Sequence, residues 1–171
     1  MGLTLDAKQL IEDVTDKTIS FLDKETSLKV IDKTFEANDQ THMDLKNISS
    51  LISIGGNLNA YIVFSFDRDL IFQIFKNYTK GLDLVPEEQA TDIEETAGEM
   101  LNIIIGNTLT LFQKKGEAIH FSTPIIISEA KRIMRSRNAK FFQSDLDTDY
   151  GAMRIFLVGP KELFNNELDY L

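Results

Sequence analysis

Glu99 and Asn102 stand three positions apart in a run that reads as one long helix, with Glu95 one turn before them. At about 100° per residue, Ile93, Ala97, Met100, Leu101, Ile104, Thr108, Leu111 and Phe112 fall on one broad apolar face. Asp92, Glu95, Glu99, Asn102, Ile103, Gly106 and Thr110 fall on the other. The carboxylates and the amide therefore point away from the core and are open to a partner. An amide offers a donor and an acceptor without adding charge. Two neighbours set this face apart. Gly106 in a helix interior costs about 1 kcal/mol relative to alanine, and Ile103 places a branched apolar knob among polar groups, as a docking surface does. Spacing alone leaves two readings open: a docking face, or routine surface residues with Gly106 permitting close packing.

Other groups that could do chemistry are sparse. Cysteine is absent, which excludes thiolate nucleophiles, disulfides and cysteine-ligated zinc and suits an intracellular protein. His42 in a polar loop and His120 near the start of a strand leave little material for a histidine metal site. Asp145, Asp147 and Asp149 alternate as in a calcium loop, but the required glycine and terminal glutamate do not follow. Lys131, Arg132, Arg135, Arg137 and Lys140 form a basic cluster that reads as a solvated loop or as a contact for an acidic partner.

The net charge of −9 argues against nucleic acid and anionic membrane as partners, since both bind through positive patches. The longest apolar runs fall far short of the ~20 residues of a spanning helix, and Met1 to Leu10 has no signal-peptide pattern. A cytoplasmic location is expected. With 171 residues, one domain spanning 1–171 buries an adequate core unaided.

The elements that must position the long helix are legible in outline. Asp6 caps a helix over roughly 6–24, followed by a strand at 27–36 and a loop at 37–40. Runs at 45–54 and 59–66 form a hairpin around Gly55-Gly56-Asn57. Asp67 caps a short helix through Tyr78, and Pro86 opens the long helix, which runs to about Lys115 before Gly116. Strands follow at 118–128, 138–147 and 151–158, the last covered on both faces and broken by Gly159-Pro160. Residues 161–171 form a final short helix. The fold class is α+β, with a mostly antiparallel sheet packed with long helices. A weak internal repeat would set Glu12, Asp16 and Ile19 opposite Glu95, Glu99 and Asn102.

The segment from Asp92 to Asn107 resembles the signature helix of the CheC/CheX/FliY phosphatase family, whose core is Glu-x-x-Asn. Glu99 and Asn102 match it, and Pro124 matches the family's downstream proline, opening an Ile-rich strand. Glu95 departs from the Asp or Ser found there in the family. One Glu-x-x-Asn, where CheC-like members carry two, favours the CheX branch, and the order of elements is similar to CheX. The resemblance implies a phosphatase for the aspartyl phosphate of a CheY-like response regulator. Asn102 would orient the attacking water and Glu99 would pair with the receiver's lysine, with Glu95, Ile103 and Gly106 contacting the partner. Mg2+ would be supplied by the receiver, so no cofactor of the chain's own is implied. The alternative is a non-catalytic module, like the flagellar-switch relatives, that binds a receiver domain. The family has monomeric and dimeric members, so a homodimer through an exposed sheet edge is compatible with it.

Overall fold

The computed structural model describes residues 6–38, 42–56, 59–113, 119–134 and 139–160. Three helices lie over one face of an antiparallel sheet. α1 spans Ala7–Thr26, α2 Arg68–Tyr78 and α3 Gln89–Gln113. The strands are β1 Val30–Asn38, β2 His42–Asp44, β3 Ile48–Gly56, β4 Ala60–Phe66, β5 Ile119–Phe121, β6 Ile125–Ser128, β7 Arg132–Met134, β8 Ala139–Thr148 and β9 Gly151–Pro160. The main sheet runs β1-β8-β9-β4-β3-β5, with β6 also pairing with β3, and β2 pairs with β7 in a separate two-stranded ribbon.

Pleat alternation divides the core in two. Ile62, Phe64 and Phe66 of β4 and Met153, Ile155 and Leu157 of β9 face the helices, meeting Leu10, Ile11, Leu70, Ile74 and Leu101. Val63, Phe141 and Phe156 point the other way, where Met43 of β2 and Ile133 of β7 cover them. β9 is thus covered on both faces, as its sequence predicts.

Asp6 caps α1 by accepting from the Lys8 N–H at 3.0 Å. Thr15, Thr18 and Thr26 are buried there because each hydroxyl donates to the carbonyl four residues back. Ser27 ends the helix with a left-handed φ of 58°, so β1 starts at Val30 and not at Ser27, and its pairing with β8 carries it through the expected loop at Ala37. The hairpin holds, though β3 begins at Ile48. The expected strand at 118–128 is divided at Ser122 to Pro124 into β5 and β6, both hydrogen-bonded to β3. Part of the basic stretch, Arg132 to Met134, is strand β7. Gly159-Pro160 does not break β9: Pro160 closes it opposite Ala139, a strand end where a missing N–H is tolerated. Pro86 to Glu88 forms a 3-10 turn and α3 follows at Gln89. The predicted helix at 161–171, Asn57, and the stop at Lys115-Gly116 lie outside the described residues.

Asp67 occupies the cap position of α2 but its carboxylate works elsewhere. Oδ1 accepts from Lys46 Nζ at 3.2 Å and Oδ2 from the Ala152 N–H at 2.8 Å, while Asn47 Oδ1 takes the Arg68 N–H at 2.9 Å. Asp67 therefore ties α2 to the β8–β9 turn, where Gly151 has a φ of 122° and a Cβ would lie 3.1 Å from Asp67. Asp67→Ala should lower stability by roughly 1–2 kcal/mol, as expected for partly exposed charge-assisted hydrogen bonds, with Asp69→Ala near wild type. Urea unfolding of the two variants checks this.

Candidate functional site on helix α3

α3 is held by one side only. Ala97, Met100, Leu101, Ile104, Ile105, Thr108 and Leu109 are buried, and Thr108 satisfies its hydroxyl on the Ile104 carbonyl at 2.8 Å. Ser50, buried on β3, donates to the Ala97 carbonyl at 3.0 Å. Gly98 packs close against β6: a Cβ there would lie 3.1 Å from Ile126 Cδ1 and 3.5 Å from Pro124 Cβ. Pro124 thus packs one residue away from Glu99. Leu111 and Phe112 lie in α3 at side-chain positions outside the described residues.

Glu95, Glu99, Asn102 and Thr110 are exposed, as the helical spacing predicts. Asn102 makes no hydrogen bond to another described side chain. Glu99 Oε1 accepts from the Tyr78 hydroxyl at 3.4 Å. The Tyr78 ring packs against Phe21 of α1, with centroids 5.7 Å apart, and its phenol pKa is raised by burial, then by the charge and hydrogen bond of Glu99 and the charge of Glu25. Tyr78 is the residue that sequence reading missed, because it lies at the end of a different helix and nothing in the linear order pairs it with Glu99.

Ile103 and Gly106 differ from expectation in an instructive way. Ile103 is half-buried and packs against the main core, so it is no protruding knob. It lines a groove of about 600 Å³ between α1 and α3 with Lys17, Phe21, Lys24, Tyr78 and Asn107. A Cβ at Gly106 would meet only Phe121 Cζ, at 3.6 Å, an ordinary contact. Internal packing therefore does not require glycine there.

The weaker candidates disperse. Asp145 accepts from Arg154 Nε at 3.2 Å and from Gln143, and with Asp147 it lies on strand β8, not in a calcium loop. Among the described residues no cluster of His, Asp and Glu is arranged to hold a metal. Arg132 is paired with Asp44 at 3.1 Å, and Arg135 and Arg137 lie outside the described residues. The exposed His120 ring lies over Gly55, whose added Cβ would fall 2.7 Å from Nε2. His42 is half-buried, 3.9 Å from Asp44 Oδ2. On α1, Glu12 and Asp16 are exposed, with Asp16 3.8 Å from Lys33, and Ile19, the residue that the weak repeat would set opposite Asn102, packs against the core.

No curated protein sequence matches the chain. Solved structures do. A chemotaxis protein CheX from Desulfovibrio desulfuricans superposes with a TM-score of 0.73 at 17% identity, over 87% of this chain and 97% of that one. A CheC-like superfamily protein from Shewanella sp. PV-4 gives 0.73 at 19% identity over 92% and 98%. The Borrelia burgdorferi CheX–CheY complex with BeF3 and Mg2+ gives 0.68 at 17% identity over 88% and 96%. These likenesses carry the fold. Residues 48–146, more than half of the chain and including Glu99, Asn102 and Pro124, match the family model for the chemotaxis phosphatase CheX. The chain belongs to the CheX family.

Proposed function

We propose that this chain is a hydrolase that removes the phosphoryl group from the aspartyl phosphate of a CheY-like response regulator in the cytoplasm. The observation that carries this reading is the placement of Glu99 and Asn102: both exposed, one turn apart, on a helix whose opposite side is sealed in the core. Family membership points to a receiver as substrate, and the Borrelia relative is a CheX complexed with CheY.

A phospho-receiver brings its own Mg2+ and lysine, which offset the charge of the phosphoryl group. What it lacks is a positioned nucleophile. Phosphoryl transfer runs through a loose, in-line transition state, so orienting a water is the main contribution an added group makes. Asn102 enters the receiver's site and its amide holds that water in line with phosphorus. The water oxygen bonds to phosphorus as the bond to the aspartyl oxygen breaks, and the products are phosphate and a free aspartate carboxylate. Being neutral, the amide brings no charge against the phosphoryl oxygens. Glu99 pairs with the receiver's lysine and fixes the register of docking, held meanwhile by Tyr78. Glu95, Ile103 and Gly106 flank the pair and contact the receiver.

With a phosphorylated CheY-type receiver and Mg2+, Asn102→Ala should lower the stimulated rate of phosphate release on the order of 100-fold, the cost of a misplaced reactant, while receiver affinity stays near wild type. Glu99→Lys should instead weaken affinity by about tenfold or more, since it sets two cations against each other. Wild-type turnover by Asn102→Ala overturns the assignment. A receiver bound with no faster phosphate loss marks a non-catalytic module.

Gly106 supplies a separate check. Gly106→Ala should raise stability by about 1 kcal/mol in urea unfolding, from helix propensity, yet reduce receiver affinity. A stabilised variant with full affinity would remove Gly106 from the docking face.

A further inference from the structure

The connection between α2 and α3 is tied at both ends to the helix that bears Glu99. At its start Tyr78 touches Glu99, and the Leu82 N–H turns back onto the Thr79 carbonyl at 3.0 Å. At its end the turn at Pro86 to Glu88 runs directly into Gln89 of α3. Every residue from Lys80 to Thr91 is exposed. Within that stretch Leu82 is 64% exposed, Leu84 42% and Val85 50%. Single exposed apolar residues are ordinary, but three within four positions make a patch of the kind that marks a docking surface. The path of the loop does not require them: Gly81, with a φ of 89°, and Pro86 make its bends.

Charge selects the occupant. Between Gly81 and Gln113 there is no lysine, arginine or histidine. Asp83, Glu87 and Glu88 lie within or beside the apolar strip in the chain, Glu95 follows on α3, and none is ion-paired with a described residue. A complementary partner presents cationic groups beside apolar side chains, which a nucleic acid or an anionic membrane does not. We propose that Leu82, Leu84 and Val85, with the acids around them, form a second docking element for the same phospho-receiver that Glu99 and Asn102 engage. The inference rests on the receiver-phosphatase reading. The strip supplies affinity and steering, and the chemistry stays with Asn102.

The probe is a CheY-type receiver domain loaded with beryllofluoride and Mg2+, so binding to the whole chain is measured without turnover. The triple variant Leu82→Ser/Leu84→Ser/Val85→Ser should keep the wild-type melting temperature, because the side chains are exposed, and bind about tenfold more weakly or worse. Glu87→Lys/Glu88→Lys should slow association and flatten its dependence on salt. Met134→Ser, at a site 68% exposed on the ribbon across the sheet, should change nothing. In turnover the triple variant should raise KM and keep kcat, the reverse of Asn102→Ala. Wild-type affinity in the triple variant overturns the docking element and leaves the phosphatase reading standing. Binding that depends on the strip, without phosphate release by the wild type, supports the docking element and overturns catalysis. No binding by the wild type overturns both.

Discussion

The rotation of α3 about its own axis decides which residues face another protein, and the close approach at Gly98 is what fixes it. Ile126 and Pro124 sit where a Cβ would be crowded, and Ser50 reaches the neighbouring Ala97 carbonyl. Turning the helix by one residue would bring Leu101 toward water at about 2 kcal/mol and push Asn102 toward the core at a further ~1–3 kcal/mol if its amide stayed unpaired. Several buried side chains make the same demand, so the outward direction of Glu99 and Asn102 follows from packing on the other side. The pair contributes little to the rotation that places it.

Local helix energetics argue against the acids as ordinary stabilisers. Glu87, Glu88 and Asp92 lie near the N-terminus of α3, where the helix dipole favours a carboxylate by roughly 0.3–1 kcal/mol each. Glu95 and Glu99 lie beyond that first turn and four positions apart, a like-charge spacing that costs a few tenths of a kcal/mol. Gly106 adds a propensity penalty on the same face, with only an ordinary contact to Phe121 below it. Two small local costs on one face, each removable by a common substitution, fit the docking role proposed for it. The apolar strip beyond Tyr78 would extend that proposed docking face.

How far the sequence reveals this depends on the range of the signal. α1, α2 and α3 repeat their apolar residues over several turns, and the β3–β4 hairpin has Gly55-Gly56 at its bend, so these elements were legible. The β2–β7 ribbon was not: three-residue strands are too short for a period, and Arg132 to Met134 reads as a charged loop until Ile133 is seen covering Phe141 and Phe156. Asp67 misled for a related reason. Its position is that of a helix cap, but Ala152 and Lys46, remote in the chain, claim both carboxylate oxygens. At the site, periodicity located Glu95, Glu99 and Asn102 on the open face, whereas Ile103 lies on the border of that face, and only the neighbouring α1 shows that it is half-buried. Tyr78 needed the packing of α2 on α3.

The two members of the motif are prepared differently, and the difference suits their proposed roles. A group that enters a foreign active site and orients water has to arrive with its hydrogen-bonding capacity unspent, and Asn102 has no described partner. A group that sets register gains from being restrained beforehand, since ordering a free glutamate side chain on docking costs on the order of 1 kcal/mol. Tyr78 supplies that restraint from a ring wedged on Phe21, yet its hydroxyl stands 3.4 Å from Glu99. That length marks a weak hydrogen bond. An incoming ammonium brings a full positive charge and a shorter hydrogen bond to the carboxylate, so in the proposed docking it would displace this long contact without disturbing the ring, and the contact that aims Glu99 would let it go.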